Sequence, residues 1–120
     1  NSNVKVLAIP AYIESIVLNL ISNAIRYRSN QRIPQLIISS IDNNSGTINV
    51  LFKDNGLGID LAINGDKIFK MYKTFHQNAE ARGVGLFITK NQCEAMNGTI
   101  EVMSEVGIGS TFVVSLLNAE

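Results

Sequence analysis

Lys53-Asp54-Asn55-Gly56-Leu57-Gly58-Ile59 sets a carboxylate at the end of an apolar run and follows it with two glycines one residue apart. The preceding residues Thr47-Ile48-Asn49-Val50-Leu51-Phe52 read as a strand. Gly56 and Gly58 permit positive φ and close backbone approach just beyond it, where side chains would block a planar ligand. An ionised Asp accepts hydrogen bonds and donates none, so Asp54 suits an exocyclic amine such as that of adenine. The same heptad also serves as an ordinary turn, so its meaning depends on its surroundings.

Upstream, Asp42-Asn43-Asn44-Ser45-Gly46 has the composition of a hairpin turn, and Gln35-Leu36-Ile37-Ile38-Ser39-Ser40-Ile41 reads as the strand before it. From Tyr12 to about Arg28 the apolar residues Ile13, Ile16, Val17, Leu20, Ile21 and Ala24 recur at three- and four-residue spacing, the stripe of an amphipathic helix. Asn19, Asn23 and Arg26 share a different face of that helix. Asparagine competes for backbone hydrogen bonds inside helices, so two on one line with a cation beyond invite a ligand, though a solvated polar face has the same pattern. Residues 4 to 9 read as a short strand that Pro10 ends.

Downstream, Asp60 to Gly65 suggests a helical turn, and Lys67 to His76 mixes aromatics and lysines in a short amphipathic helix or a cover over phosphates. Gln77 to Arg82 has no apolar pattern and reads as a loop. It runs into Arg82-Gly83-Val84-Gly85-Leu86, followed by a helix over Phe87 to Met96 that Asn97-Gly98 closes. Glycines at a helix start bare N–H groups to an anion, which the helix dipole favours. Two strands, Thr99 to Ser104 and Ser110 to Leu116, finish the chain around the glycine pair of Glu105-Val106-Gly107-Ile108-Gly109.

With 120 residues, 46% of them hydrophobic, the chain reads as one domain over 1–120 with a core of its own. Its zero formal charge argues against nonspecific binding to nucleic acid or an anionic membrane. A single cysteine, Cys93, excludes an intramolecular disulfide and fits a reducing, cytoplasmic setting. No apolar run approaches the roughly 20 residues of a membrane span. The ends carry no evident caps, which fits a domain excised from a longer protein.

Order and spacing make the motifs specific. Asn19-Leu20-Ile21-Ser22-Asn23-Ala24-Ile25-Arg26-Tyr27 resembles the N box of the sensor histidine kinase ATP-binding domain, and Asp54-Asn55-Gly56-Leu57-Gly58 its G1 box. Ile68-Phe69-Lys70-Met71-Tyr72 resembles the F box, Gly83-Val84-Gly85-Leu86 the G2 box, and Gly109-Ser110-Thr111-Phe112 the final glycine motif. The match runs from about Val4 to Leu117.

The resemblance implies an α/β fold of the Bergerat type, a two-layer sandwich whose mixed, mostly antiparallel sheet carries helices on one face and a lid loop. It implies ATP and Mg²⁺ as cofactors, with Asn23 as the metal-holding residue, Asn19 beside the phosphates, Arg26 offering charge and Tyr27 an aromatic surface near the base. Asp54 would accept from the adenine amine with Thr111 completing a water network; Gly56, Gly58 and Ile59 would bed the base. Gly83, Val84, Gly85 and Leu86 would form the phosphate side, with Arg82, Lys70 and Lys73 as further candidates.

In the hydrolytic relatives gyrase B and MutL, the residue one turn before the metal-binding Asn is a Glu that activates water; here it is Asn19. An amide is no general base near neutral pH, which favours phosphoryl transfer over hydrolysis. The expected function is therefore the catalytic domain of a two-component histidine kinase, passing the γ-phosphoryl group to a histidine on a separate dimerisation domain, with a response regulator downstream. His76 follows the F box and reads as a lid residue rather than the phosphoacceptor. A degenerate nucleotide- or partner-binding module, to which the short G2 region lends support, and an anti-sigma-factor serine kinase of the same fold are the alternatives.

Overall fold

The computed structural model describes residues 8–65, 68–69 and 84–118. Of the first strand expected over 4 to 9, only Ala8 and Ile9 are described, in irregular backbone. Pro10 opens helix α1 (Pro10–Arg26) in the first turn, where its missing N–H has no intrahelical acceptor in any case. The helix ends two residues short of the expected Arg28. Tyr27 leaves helical geometry at φ −107° and ψ 24°, and the Arg28 guanidinium turns back to donate to Ile25 O at 2.8 Å. The apolar stripe is buried as its spacing requires: Ile16 and Leu20 are enclosed, with Ile13 and Val17 packed beside them. Each enclosed side chain stabilises the fold by about 2 kcal/mol.

Strands β1 (Leu36–Asp42) and β2 (Thr47–Asp54) pair antiparallel, with Leu36 opposite Asp54. Their turn places Asn44 and Gly46 at positive φ. Asn44 N donates to Asp42 Oδ1 at 2.9 Å, the side-chain turn that Asp favours. The expected helical turn is α2 (Leu61–Asn64), capped by Asp60, whose Oδ1 accepts from Ala62 N at 3.1 Å. Helix α3 (Val84–Ala95) starts before the expected Phe87 and takes in Gly85. It stops where Asn97 adopts φ 60° and Gly98 N donates to Cys93 O at 2.8 Å. Strands β3 (Thr99–Glu105) and β4 (Gly109–Leu117) complete a four-stranded sheet of order β1-β2-β4-β3.

Among the described residues every strand pairing is antiparallel. Alternation sends Phe52 of β2, Ile100 of β3 and Phe112, Val114 and Leu116 of β4 to one face. There they meet Ile16 and Leu20 of α1 and Leu86, Cys93 and Met96 of α3. This is the expected two-layer α/β arrangement. Ile68 and Phe69 also join this core, the Phe69 ring standing edge-on to Phe112 at 6.3 Å. The register brings the end of β2, the β3–β4 turn and the C-terminus of α1 to the same end of the sheet.

Candidate functional site

Asp54 is the last residue of β2, on the helix-facing side of the sheet. Its Oδ1 accepts from Gly56 N at 2.9 Å and from Ser110 N at 3.3 Å, while Oδ2 has no donor among the described residues. Burial raises the carboxyl pKa above its ordinary value, and the two N–H bonds pull it back in part. One oxygen is thus fixed by backbone and the other is left as an acceptor. Gly58 adopts φ +77°, and any Cβ on it would strike the Glu105 carbonyl. Gly109 adopts φ +143° and lies as close against the Asp54 carbonyl, so the β2 exit and the β3–β4 turn are packed backbone on backbone.

Ser110, not Thr111, stands beside Asp54. Thr111 pairs with Lys53 on β2 and Met103 on β3, and alternation puts it on the opposite face of the sheet. Ser110 is buried, and its Oγ meets Ser104 Oγ at 2.7 Å. Ser104 Oγ in turn accepts from Ile59 N at 2.7 Å, and the Ile59 side chain belongs to the core. The seryl pair therefore replaces the expected Thr111 as the hydroxyl-bearing neighbour of the turn. A count of strand parity from Phe112, the evident core residue, would have located it.

Asn19, Asn23 and Arg26, together with Ser22, Tyr27, Gly85 and Leu86, line a polar cleft of about 230 Å³ between α1 and the start of α3. The polar face read from the helix spacing is therefore a wall of a cavity. Asn19 is tied across it: Nδ2 donates to Gly85 O at 3.3 Å and to Thr89 Oγ1 at 3.2 Å. Thr89 is fully buried and donates back to Gly85 O at 2.7 Å. Tyr27 caps α1, its N–H donating to Asn23 O at 3.1 Å, and its carbonyl accepts from Leu57 N at 2.8 Å. Burial pushes the Tyr27 phenol above its ordinary pKa, with Arg26 pulling the other way. A Cβ on Gly56 would press on that same Tyr27 carbonyl.

Asp54 does not line this polar cleft. It borders a second, largely apolar hollow of about 320 Å³ across α1, walled by Ile21, Ala24, Ile25, Pro34 and Leu36. The Leu57 to Tyr27 hydrogen bond links the two groups of residues. Gly83, Arg82, Lys70, Lys73 and His76 lie outside the described residues.

Arg32, read in the sequence only as part of a polar connection, reaches the same turn. Its Nε donates to Asn55 O at 2.6 Å, and Nη2 donates to Gly56 O and Gly107 O at 2.8 Å each. Asn55 braces the turn from the other side, donating to Ile33 O and accepting from Gln35 N. These partners are distant in sequence and follow no local spacing, so no pattern announced them.

The fold and site define a domain that sets one helix's amide-bearing face and a glycine-flanked carboxylate at a common end of an antiparallel sheet. The chain belongs to the histidine kinase-, DNA gyrase B- and HSP90-like ATPase family, whose pattern matches residues 8–120. It is 36% identical over 111 residues to histidine protein kinase 1 of Candida albicans, covering 85% of this chain and 4% of that protein. Its fold is that of the mycobacterial sensor histidine kinase MprB, at 18% identity and a TM-score of 0.81 over 94% of this chain and 76% of the other. Full-length ShkA in complex with AMPPNP superposes with a TM-score of 0.77 at 22% identity, over 97% of this chain and 24% of that one.

Proposed function

We propose that this chain is the ATP-binding catalytic domain of a two-component histidine kinase, one part of a longer cytoplasmic or membrane-anchored protein. It would bind Mg-ATP and supply the γ-phosphoryl group to a histidine on a separate dimerisation domain, for passage to a response regulator. The observation that carries this reading is the polar cleft in which Asn19, Asn23, Arg26, Tyr27, Gly85 and Leu86 meet, joined through Tyr27 to the turn that holds Asp54. Membership of the family and the nucleotide analogue bound to ShkA support it.

Each residue then has a physical task. Asp54 Oδ2 accepts from the adenine amine, while Oδ1 stays bound to backbone N–H groups and fixes the direction of the carboxylate. Arg26 offers charge to the phosphate tail. The N–H groups of Val84, Gly85 and Leu86, where the described part of α3 begins, have no acceptor within the described helix and suit phosphate oxygens. Asn23 offers an amide oxygen to Mg²⁺, which neutralises phosphate charge when bound. Among the described residues no cluster of three or more His, Cys, Asp or Glu could hold a metal unaided. A single amide oxygen fits an ion that shares its coordination with phosphates and water. Asn19, already donating to Gly85 O and Thr89 Oγ1, is no water-activating base, so slow hydrolysis is expected beside transfer.

Calorimetric titration of the chain with ADP, with and without Mg²⁺, tests the reading. Binding that disappears in Asp54→Asn and loses its Mg²⁺ dependence in Asn23→Ala is expected; a folded wild type that binds no nucleotide would sink it.

A further inference from the structure

Arg32 holds the two peptide groups on which the Asp54 turn depends. The peptide joining Asn55 to Gly56 gives its oxygen to Arg32 Nε and its N–H to Asp54 Oδ1. The next peptide, from Gly56 to Leu57, gives its oxygen to Arg32 Nη2 and its N–H to Tyr27 O at the end of α1. One guanidinium therefore grips each peptide plane by its carbonyl, while the opposite ends of those planes aim the carboxylate and hook the turn to the helix that carries Asn23. The third bond, to Gly107 O, ties both planes to the β3–β4 turn, whose N–H at Gly107 returns to Leu57 O at 2.8 Å. Glycine leaves this turn soft by itself, and a planar cationic fork can fix several carbonyls in a way an ammonium cannot. Carbonyls facing a cation also polarise the peptide, strengthening the N–H bonds at its far end.

We propose that Arg32 is a positioning residue for base selectivity: it fixes the angle at which Asp54 meets an exocyclic amine, without touching the nucleotide. The proposal rests on the nucleotide reading of the site. A purine with a carbonyl where adenine has its amine puts acceptor against acceptor at Asp54, and that mismatch discriminates only while the carboxylate is held in place. Loosening the turn lets the carboxylate swing aside, so adenine loses its bond and guanine loses its penalty.

The test is calorimetric titration of wild type, Arg32→Lys and Arg32→Ala with ADP and with GDP, with thermal midpoints recorded in parallel. Arg32→Lys keeps the charge and the aliphatic stem, so it serves should the alanine variant not fold. The expected result is that wild type prefers ADP and that Arg32→Lys lowers the ADP-to-GDP affinity ratio about tenfold, the scale of one lost charged hydrogen bond. An Arg32→Lys variant with a lower midpoint but an intact ratio makes Arg32 a strut alone and overturns the proposal, as does equal weakening of both nucleotides. Wild type that binds neither nucleotide instead removes the nucleotide reading and the role of Arg32 with it.

Discussion

Burying the Asp54 carboxylate opposes folding at neutral pH. Its pKa in the fold is raised above the ordinary 3.8, chiefly by burial, so the folded state holds the proton more tightly than the unfolded chain does. The resulting stabilisation is fully present below the ordinary value and is lost as pH rises through the raised one. Asp54→Asn keeps an oxygen for Gly56 N and removes the charge. Its thermal midpoint should therefore exceed that of wild type at pH 7, with the difference closing as pH falls towards 3.8, measured by calorimetric scans across that range. The same variant turns an acceptor into a donor and should bind no ADP, so stability and binding are expected to move in opposite directions. Asn19 gives the opposite case. Asn19→Ala removes both bonds to the start of α3 and should lower stability by about 1 kcal/mol in urea denaturation. Asn19→Asp should be worse, because a carboxylate would face the Gly85 carbonyl with no proton to offer.

At the scale of elements, α1 was plain in the sequence because one apolar stripe repeats at helical spacing, and the three polar residues expected on another face do line one cleft. The start of α3 was less plain. Gly85 weakens a helix on propensity, yet here its carbonyl takes the Thr89 hydroxyl and the Asn19 amide, and those partners outweigh the weak propensity. Ser110 is hidden for a different reason: the Gly109-Ser110-Thr111-Phe112 motif offers two adjacent hydroxyls, and only the alternation of β4 assigns the Asp54 side to Ser110. Arg32 follows no periodicity, since its partners come from turns that only tertiary structure brings together. The turn also sets a sharp limit on substitution. Gly58→Ala combines a positive φ with a collision against the Glu105 backbone, and a loss of about 1–3 kcal/mol in chemical denaturation is expected.

The molecule as a whole has a single cysteine, and it lies at the centre of the core. Cys93 is wholly enclosed, and burial, with the Glu94 charge, pushes its thiol up to about 11 against the pull of Lys90. The native chain should accordingly resist thiol reagents, and its labelling rate should rise steeply across the urea range in which the core opens. Asp54 and Ser110 meet at the rim where β2 ends and β4 begins. The opposite rim carries the Asn43 to Gly46 hairpin tip, where Gly46 has nothing within 4 Å of a would-be side chain. The domain therefore comes with a natural handle: a dye or surface tether fixed at that tip would leave the rim that carries Asp54 facing the solution.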